Sequence, residues 1–133
     1  MSKQNVDLVR RLLAAFNERD MTTIRSGLHP DVELQTIVEA QHGHAGAADW
    51  IARADSVFDS FEMEVEEIID AGDSVLVVER QRGRGKGSGV LLDQQMYSLF
   101  ALQDGQILRA KWFMDRDQAF TVAGIAADER PGL

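Results

Sequence analysis

The chain contains no cysteine. That absence excludes disulfides, thiolate nucleophiles and cysteine-ligated metal sites, and it fits a reducing compartment. No apolar run approaches the roughly 20 residues that cross a bilayer. The N-terminal MSKQNVDLVRRLL breaks its apolar stretch with charges and offers no cleavage site, so it does not read as a signal peptide. The cytoplasm is the expected location. Positive charge is also scarce. There are 14 Lys and Arg against 22 Asp and Glu, a net charge of −8. An acidic body repels phosphate, so neither nucleic acid nor an anionic membrane is expected as a partner.

What is present suffices for one domain. The 133 residues are 44% hydrophobic and 27% charged, enough for a real core. Val6, Val9, Leu12, Leu13 and Phe16 recur at helical spacing and predict a helix over 5–19, with Asn5 as cap. Asp20 or Thr22 opens a short second helix to Leu28, ended by His29-Pro30. Val32 to Val38 reads as a strand, and Gln41 to Gly46 as a loop. A third helix carries Trp50, Ile51, Ala54, Val57 and Phe58 on one face.

From Phe61 the period changes to two. Phe61, Met63 and Val65 alternate with glutamates, and Glu67 breaks the alternation, which predicts a bulge. Ser74 to about Ser88 and Val90 to Gln103 form a pair of strands. Asp104-Gly105 turns the chain into a last strand over 107–114. Asp115 then opens a short helix that stops at Gly124. Helices gathered before a strand meander predict an α+β fold with helices on one face of a curved sheet. The domain core is expected over 5–124, with 125–133 as a tail. Tyr97, Leu99 and Ala101 place a second apolar face on one strand, which predicts a homodimer through the sheet.

This order, with LLAAFNERD, HPDVEL, AGDSVLVVER and DGQILRAKWFMDRDQAFTVAG, resembles the SnoaL-like, polyketide cyclase-like group of the nuclear transport factor 2-like superfamily. The resemblance runs from about Val6 to Gly124. RGRGKGSGV is similar to a pattern common in small bacterial members. The resemblance implies a cone, with a pocket between the helices and the concave face of a mixed or antiparallel sheet. Members use that pocket for isomerisation, cyclisation, epoxide hydrolysis, dehydration or binding, so the fold names no reaction. The ketosteroid isomerase-like pattern falls on Leu12, Thr36 and Ser98, none of which can do the expected work. The limonene epoxide hydrolase-like pattern retains Arg80 and Asp115 but meets Arg82 where it needs an aspartate. The SnoaL-like acid/base carboxylate falls on Asp115.

Asp115 therefore has two readings, a pocket acid/base or a helix cap. Arg80 and Arg82 share one strand face. On the concave side they would orient an anionic or enolate-forming ligand, and otherwise they are solvated strand-end charges. His42 and His44 have the spacing of a metal pair but lack a third ligand, so no metal is expected, and His44 is placed at the pocket rim. The glycines between Gly83 and Gly89 lie between strands, which suits a twisted hairpin and not a phosphate loop. Phe16, Trp50, Met63, Met96, Ser98, Phe100 and Trp112 supply the expected lining, with Arg82 and His44. The expected ligand is a small, mostly apolar organic molecule, bound without a cofactor. A non-catalytic binding or protein-interaction domain is the alternative.

Overall fold

The structure is a computed structural model that describes residues 2–125. Three helices precede and interleave with the first strands: α1 (Ser2–Glu18), α2 (Met21–Gly27), β1 (Leu28–Gln35), β2 (Ala40–His42) and α3 (Gly43–Val57). A meander follows through β3 (Phe58–Asp70), β4 (Ser74–Gly85), β5 (Leu91–Gln103) and β6 (Gln106–Phe113), and α4 (Arg116–Ala123) closes the described chain. The six strands make one curved sheet in the order β2-β1-β6-β5-β4-β3. β1 runs parallel to β6, and the other neighbours are antiparallel. The expected tail lies outside the described residues beyond Ile125. No helix among the described residues is long and apolar enough to cross a membrane.

Local chemistry accounts for most boundaries. Leu8, Val9, Leu12, Leu13 and Phe16 of α1 are buried on the stripe their spacing predicts. Asp20 caps α2 by accepting the Thr23 N–H at 3.2 Å. The pairing of β3 with β4 shifts register between Val65 and Glu67, as the broken alternation predicts. Asp104 and Gly105 both adopt positive φ, +54° and +76°, which suits the two-residue hairpin turn. Two departures involve β1. It starts at Leu28 and passes through Pro30, because its register with β6 slips between Leu28 and Glu33 and the residue without an N–H sits in the slip. Ala40–His42, expected as loop, pairs with β1 as an edge strand too short for any periodic signal.

The sheet carries a core on each face. On the inner face, under α1 to α3, Val75, Val77, Met96, Phe100, Ala110 and Trp112 pack against Leu12, Phe16 and Ile51. On the outer face Leu76, Val78, Tyr97 and Phe113 pack against Ala119, Phe120 and Ile125. The sequence predicted one helical layer and an uncovered outer face. Instead α4 folds back over that face and buries Tyr97 to 6% exposure within the single chain. Which way the chain turns after β6 is a tertiary choice, and eight residues of α4 do not reveal it. Gly124, at φ +77°, ends α4 in the left-handed cap that lets Ile125 reach back. Phe120 is fully buried in this outer core. Phe120→Ala is expected to cost about 3–5 kcal/mol, measured by urea unfolding, by leaving a cavity under α4.

Candidate functional site

Between α3, the β1–β2 turn and the inner sheet face lies a cleft of about 530 Å³. Trp50, Phe58, Phe61 and Trp112 wall it, Gln81 and Met96 line its sheet side, and Ile37, Val38 and Val57 give it an exposed apolar rim. The rings are in mutual contact: Trp50 with Trp112 at 5.6 Å, Trp50 with Phe16 at 5.6 Å, and Phe58 stacked on Phe61 at 5.2 Å. Trp50 and Trp112 also bound a small inner space of about 70 Å³, lined by Phe16, Met63 and Phe100 among other apolar side chains. The structure thus brings together Phe16, Trp50, Met63, Met96, Phe100 and Trp112 from five separate elements.

Beneath this lining sits a carboxyl that the sequence reading passed over. Glu79 is 0% exposed. Its Oε1 accepts the Ser98 hydroxyl at 2.5 Å, and its Oε2 accepts the Gln81 amide at 2.8 Å. Burial pushes the Glu79 carboxyl up from the usual range, and the bonds from Ser98 and Gln81 pull less strongly the other way. The Trp112 indole N–H comes near enough to favour the charged form as well. It does not complete a hydrogen bond, and Nε1 is buried without a partner among the described residues.

Strand parity explains the arrangement. β4 pairs with β5 without interruption from Ser74↔Ala101 to Arg84↔Leu91. Val75, Val77, Glu79 and Gln81 therefore face inward, and Leu76, Val78, Arg80 and Arg82 face outward. Here the structure differs from expectation. Arg80 and Arg82 lie on the outer face, away from the cleft. Arg80 meets Asp93 at 2.9 Å and Glu66 at 3.3 Å, and Arg82 meets Glu64 at 3.2 Å. The Gln95 amide, and then Arg80, hold Glu66 below the usual carboxylate range. Such exposed pairs contribute little stability.

Asp115 is the N-cap of α4. It accepts the Asp117 N–H at 2.8 Å and the Gln118 N–H at 3.4 Å, and it is exposed. It lies where α4 begins its path over the outer face, so it does not converge with Arg80 in the cleft. His44 is also elsewhere. Its Nε2 lies 2.8 Å from the Leu28 carbonyl, beside Met21 and Arg25. His42 precedes α3 and is exposed. Among the described residues no three acidic or histidine side chains gather as a metal site. Ser98 alone of the three steroid-isomerase positions faces the polar floor. Leu12 is in the core, and Thr36 lines the cleft and binds the Glu39 carbonyl.

A second groove, about 660 Å³, opens near Arg19, Asp55, Arg82 and Asp93. It is the larger, but Arg19 is paired with Asp55 at 2.8 Å and Arg82 with Glu64 and Asp93. Its lining is mostly charged and ion-paired, whereas the aromatic cleft is walled by rings and borders Gln81, which donates to the buried Glu79, so the aromatic cleft is the better candidate.

Residues 9–110 match the SnoaL-like domain model. The chain belongs to the SnoaL-like domain family. No curated protein matches it. Among solved structures it is similar to a candidate SnoaL-like polyketide cyclase from Jannaschia sp. CCS1, at 26% identity and TM-score 0.77 over 94% of each chain. It is also similar to TerC, co-crystallised with polyporic acid, at 23% identity and TM-score 0.76, over 91% of this chain and 98% of that one. An LEH-like epoxide hydrolase of M. tuberculosis matches at 18% identity and TM-score 0.74, over 90% and 89%. This SnoaL-like domain shares the nuclear transport factor 2-like fold, as the sequence resemblance implied. Glu79, Gln81 and Ser98 lie inside the matched span, and Trp112 lies just beyond it.

The missed signal was parity. Counting by twos from Val75 reaches Glu79, and the charged cluster from Glu79 to Arg82 hid it. The consequence is measurable. Glu79 has a higher pKa folded than its ordinary 4.5. Above that ordinary value the folded state holds more protons than the unfolded one, so stability falls as pH rises until the native carboxyl ionises. Glu79→Gln removes this loss. The unfolding free energy of the variant relative to the native protein, measured by urea unfolding, is expected to climb as pH rises above about 4.5, at no more than about 1.4 kcal/mol per pH unit. A difference that stays flat across the pH range contradicts a buried neutral acid.

Proposed function

We propose that this SnoaL-like domain binds a small, mostly apolar organic molecule in the aromatic cleft. The observation that carries the reading is the pairing of an open, ring-walled cleft with a dry, hydrogen-bonded carboxyl beneath its sheet side. Apolar lining supplies affinity, and a few polar groups orient the guest. Support comes from relatives of the same fold, one crystallised with polyporic acid and others described as a polyketide cyclase and an epoxide hydrolase.

Where chemistry accompanies binding, we assign proton transfer to Glu79, with Gln81 and Ser98 holding its carboxyl in place. Cyclisation, isomerisation and hydration all need such a group. Of the charged side chains lining the cleft, Glu39 and Arg53 are paired with each other at 2.6 Å near the rim. The pair leaves neither free to work at the floor. Asp115 and Arg80, the residues favoured from sequence, have an outer-face role in this reading. The non-catalytic alternative draws on the complete burial of Glu79, which a guest must first uncover.

Both tryptophans of the chain line the cleft, so intrinsic fluorescence reports its occupancy. Nile red is expected to bind with quenching of that emission. Trp50→Ala should weaken Nile red binding about tenfold or more, whereas Asp115→Asn should change neither binding nor stability appreciably, since Asn caps about as well as Asp. Loss of binding in Asp115→Asn with a folded protein would return the site to the outer position.

We also propose a homodimer through the outer sheet face. Leu99, packed against the outer cluster that α4 helps to form, and Ala101 remain half-buried on this face. Sedimentation velocity at micromolar concentration should show a dimer, and Leu99→Glu should shift it to monomer by placing an unpaired charge in the contact.

A further inference from the structure

Three polar side chains from three neighbouring strands face the Glu79 carboxyl, and two of them bond to it. Ser98 on β5 donates its hydroxyl to Oε1 at 2.5 Å, and Gln81 on β4 donates its amide to Oε2 at 2.8 Å. The third is the indole of Trp112 on β6, directly across from Ser98 in the β5–β6 pair. Its N–H is near enough to favour the charged carboxyl, yet it completes no hydrogen bond and is buried without a partner among the described residues. The flanking residues are apolar. Val65 and Met96 stand beside Glu79 on the adjacent strands, and the helices bring Leu12, Phe16 and Ile51 to this face. Arg80 and Arg82 leave β4 on the outer face, and Glu39 and Arg53 of the cleft are paired with each other near its rim.

This set suits a carboxyl that holds its proton. A neutral carboxyl carries its own O–H, and the Ser98 hydroxyl accepts as well as donates, so Ser98 and Gln81 complete the group between them. An ionised carboxylate has no donor and about four lone-pair sites, and in a dry interior it draws on every donor within reach. Burial pushes the Glu79 carboxyl up from its ordinary value, in keeping with a group built for the first state. The unbonded Trp112 N–H is the donor held over for the second. Its ring has room to tilt, because it borders both the cleft and the inner space of about 70 Å³.

We infer that Glu79 and Trp112 form a proton-operated latch: the indole N–H stands off while the carboxyl holds its proton, and closes on the carboxylate when that proton leaves for solvent. Closing tilts a ring that meets Trp50 at 5.6 Å and Phe100 edge-on at 6.1 Å. The wall shared by the cleft and the inner space therefore has two arrangements, and one proton sets which is present. Trp112 is a positioning residue in this device, acting through the Glu79 carboxyl. By linkage, the bond that closes the latch also lowers the pH at which the proton leaves. The latch needs no guest. It rests on side chains of β4, β5 and β6 alone, and it stands whether or not the cleft binds a ligand.

Nuclear magnetic resonance of the native protein, with ¹⁵N-labelled indoles and ¹³C-labelled glutamate, tests this as the pH is raised from 4.5, the ordinary value for Glu79. The Glu79 carboxyl carbon, identified by its absence in Glu79→Gln, should titrate with a midpoint above that value. The chain has two tryptophans, and Trp50→Phe tells their indole resonances apart. The Trp112 N–H should move downfield with the same midpoint, as a proton entering a charge-assisted hydrogen bond does. In Glu79→Gln it should stay in place over the same range. Trp112→Phe keeps an aromatic ring and loses the donor, so there the Glu79 midpoint should rise by about one pH unit or more. A Trp112 N–H that stays still while Glu79 ionises overturns the latch. So does a movement that survives Glu79→Gln, which traces it to His42, His44 or the Glu39–Arg53 pair. A Glu79 that never ionises in the folded protein, or a midpoint unchanged in Trp112→Phe, overturns it as well. The readings on native protein and Glu79→Gln decide the matter even where Trp112→Phe does not fold.

Discussion

The uninterrupted antiparallel pairing of β4 with β5 is the constraint on which the rest of the molecule depends. A single slipped residue between Ser74 and Arg84 would turn every later side chain to the other face. Because there is none, Glu79 and Gln81 enter the interior behind Val75 and Val77, and Arg80 and Arg82 leave it behind Leu76 and Val78. The inner face becomes apolar with one acid. The outer face becomes apolar at one end, where α4 covers it, and a ladder of charges at the other. The bulge in β3 at Val65 to Glu67 absorbs the curvature that this regular pair does not.

The inner acid survives because its partners arrive from the same pair of strands. Ser98 projects from β5 and Gln81 from two residues along β4, so both reach the Glu79 carboxyl without any loop having to be positioned. That makes the polar floor as rigid as the sheet. The cleft above it is built differently. Its rings come from α3, β3 and β6, and its rim from the β1–β2 turn, where Val38 is 88% exposed. A rigid polar floor under a more adaptable apolar mouth is a sound arrangement for a site that orients one end of a guest and tolerates variation at the other.

Reading the site from family patterns led toward Asp115 and Arg80, and the reason is instructive. Pattern alignment carries residues over by their order in the chain, but a strand's chemistry is set by its facing. Arg80 and Glu79 are neighbours in sequence and lie on opposite sides of a sheet. Asp115 stands where a strand becomes a helix, which is where a capping residue also belongs, and α4 uses it as a cap. The apolar lining was legible because Phe16, Trp50, Met63, Met96, Phe100 and Trp112 carry their hydrophobicity wherever they sit. Their grouping around one space still needed three helices to close over the sheet.

The sequence by itself determined the kind of molecule this is. Helical spacing in 5–19, alternation from Phe61, the break at Glu67 and the Asp104-Gly105 turn are local signals, and local backbone physics reads them without help from distant parts of the chain. Glu79 was present in the same record but ambiguous. Only the tertiary structure decided that it is buried, that α4 crosses to the outer face, that β1 joins β6 in parallel, and that the Trp112 N–H is left without a partner among the described residues. Each of these depends on which surfaces meet across dozens of residues. That outcome follows from the packing free energy of the whole fold, and no window of neighbouring residues contains it.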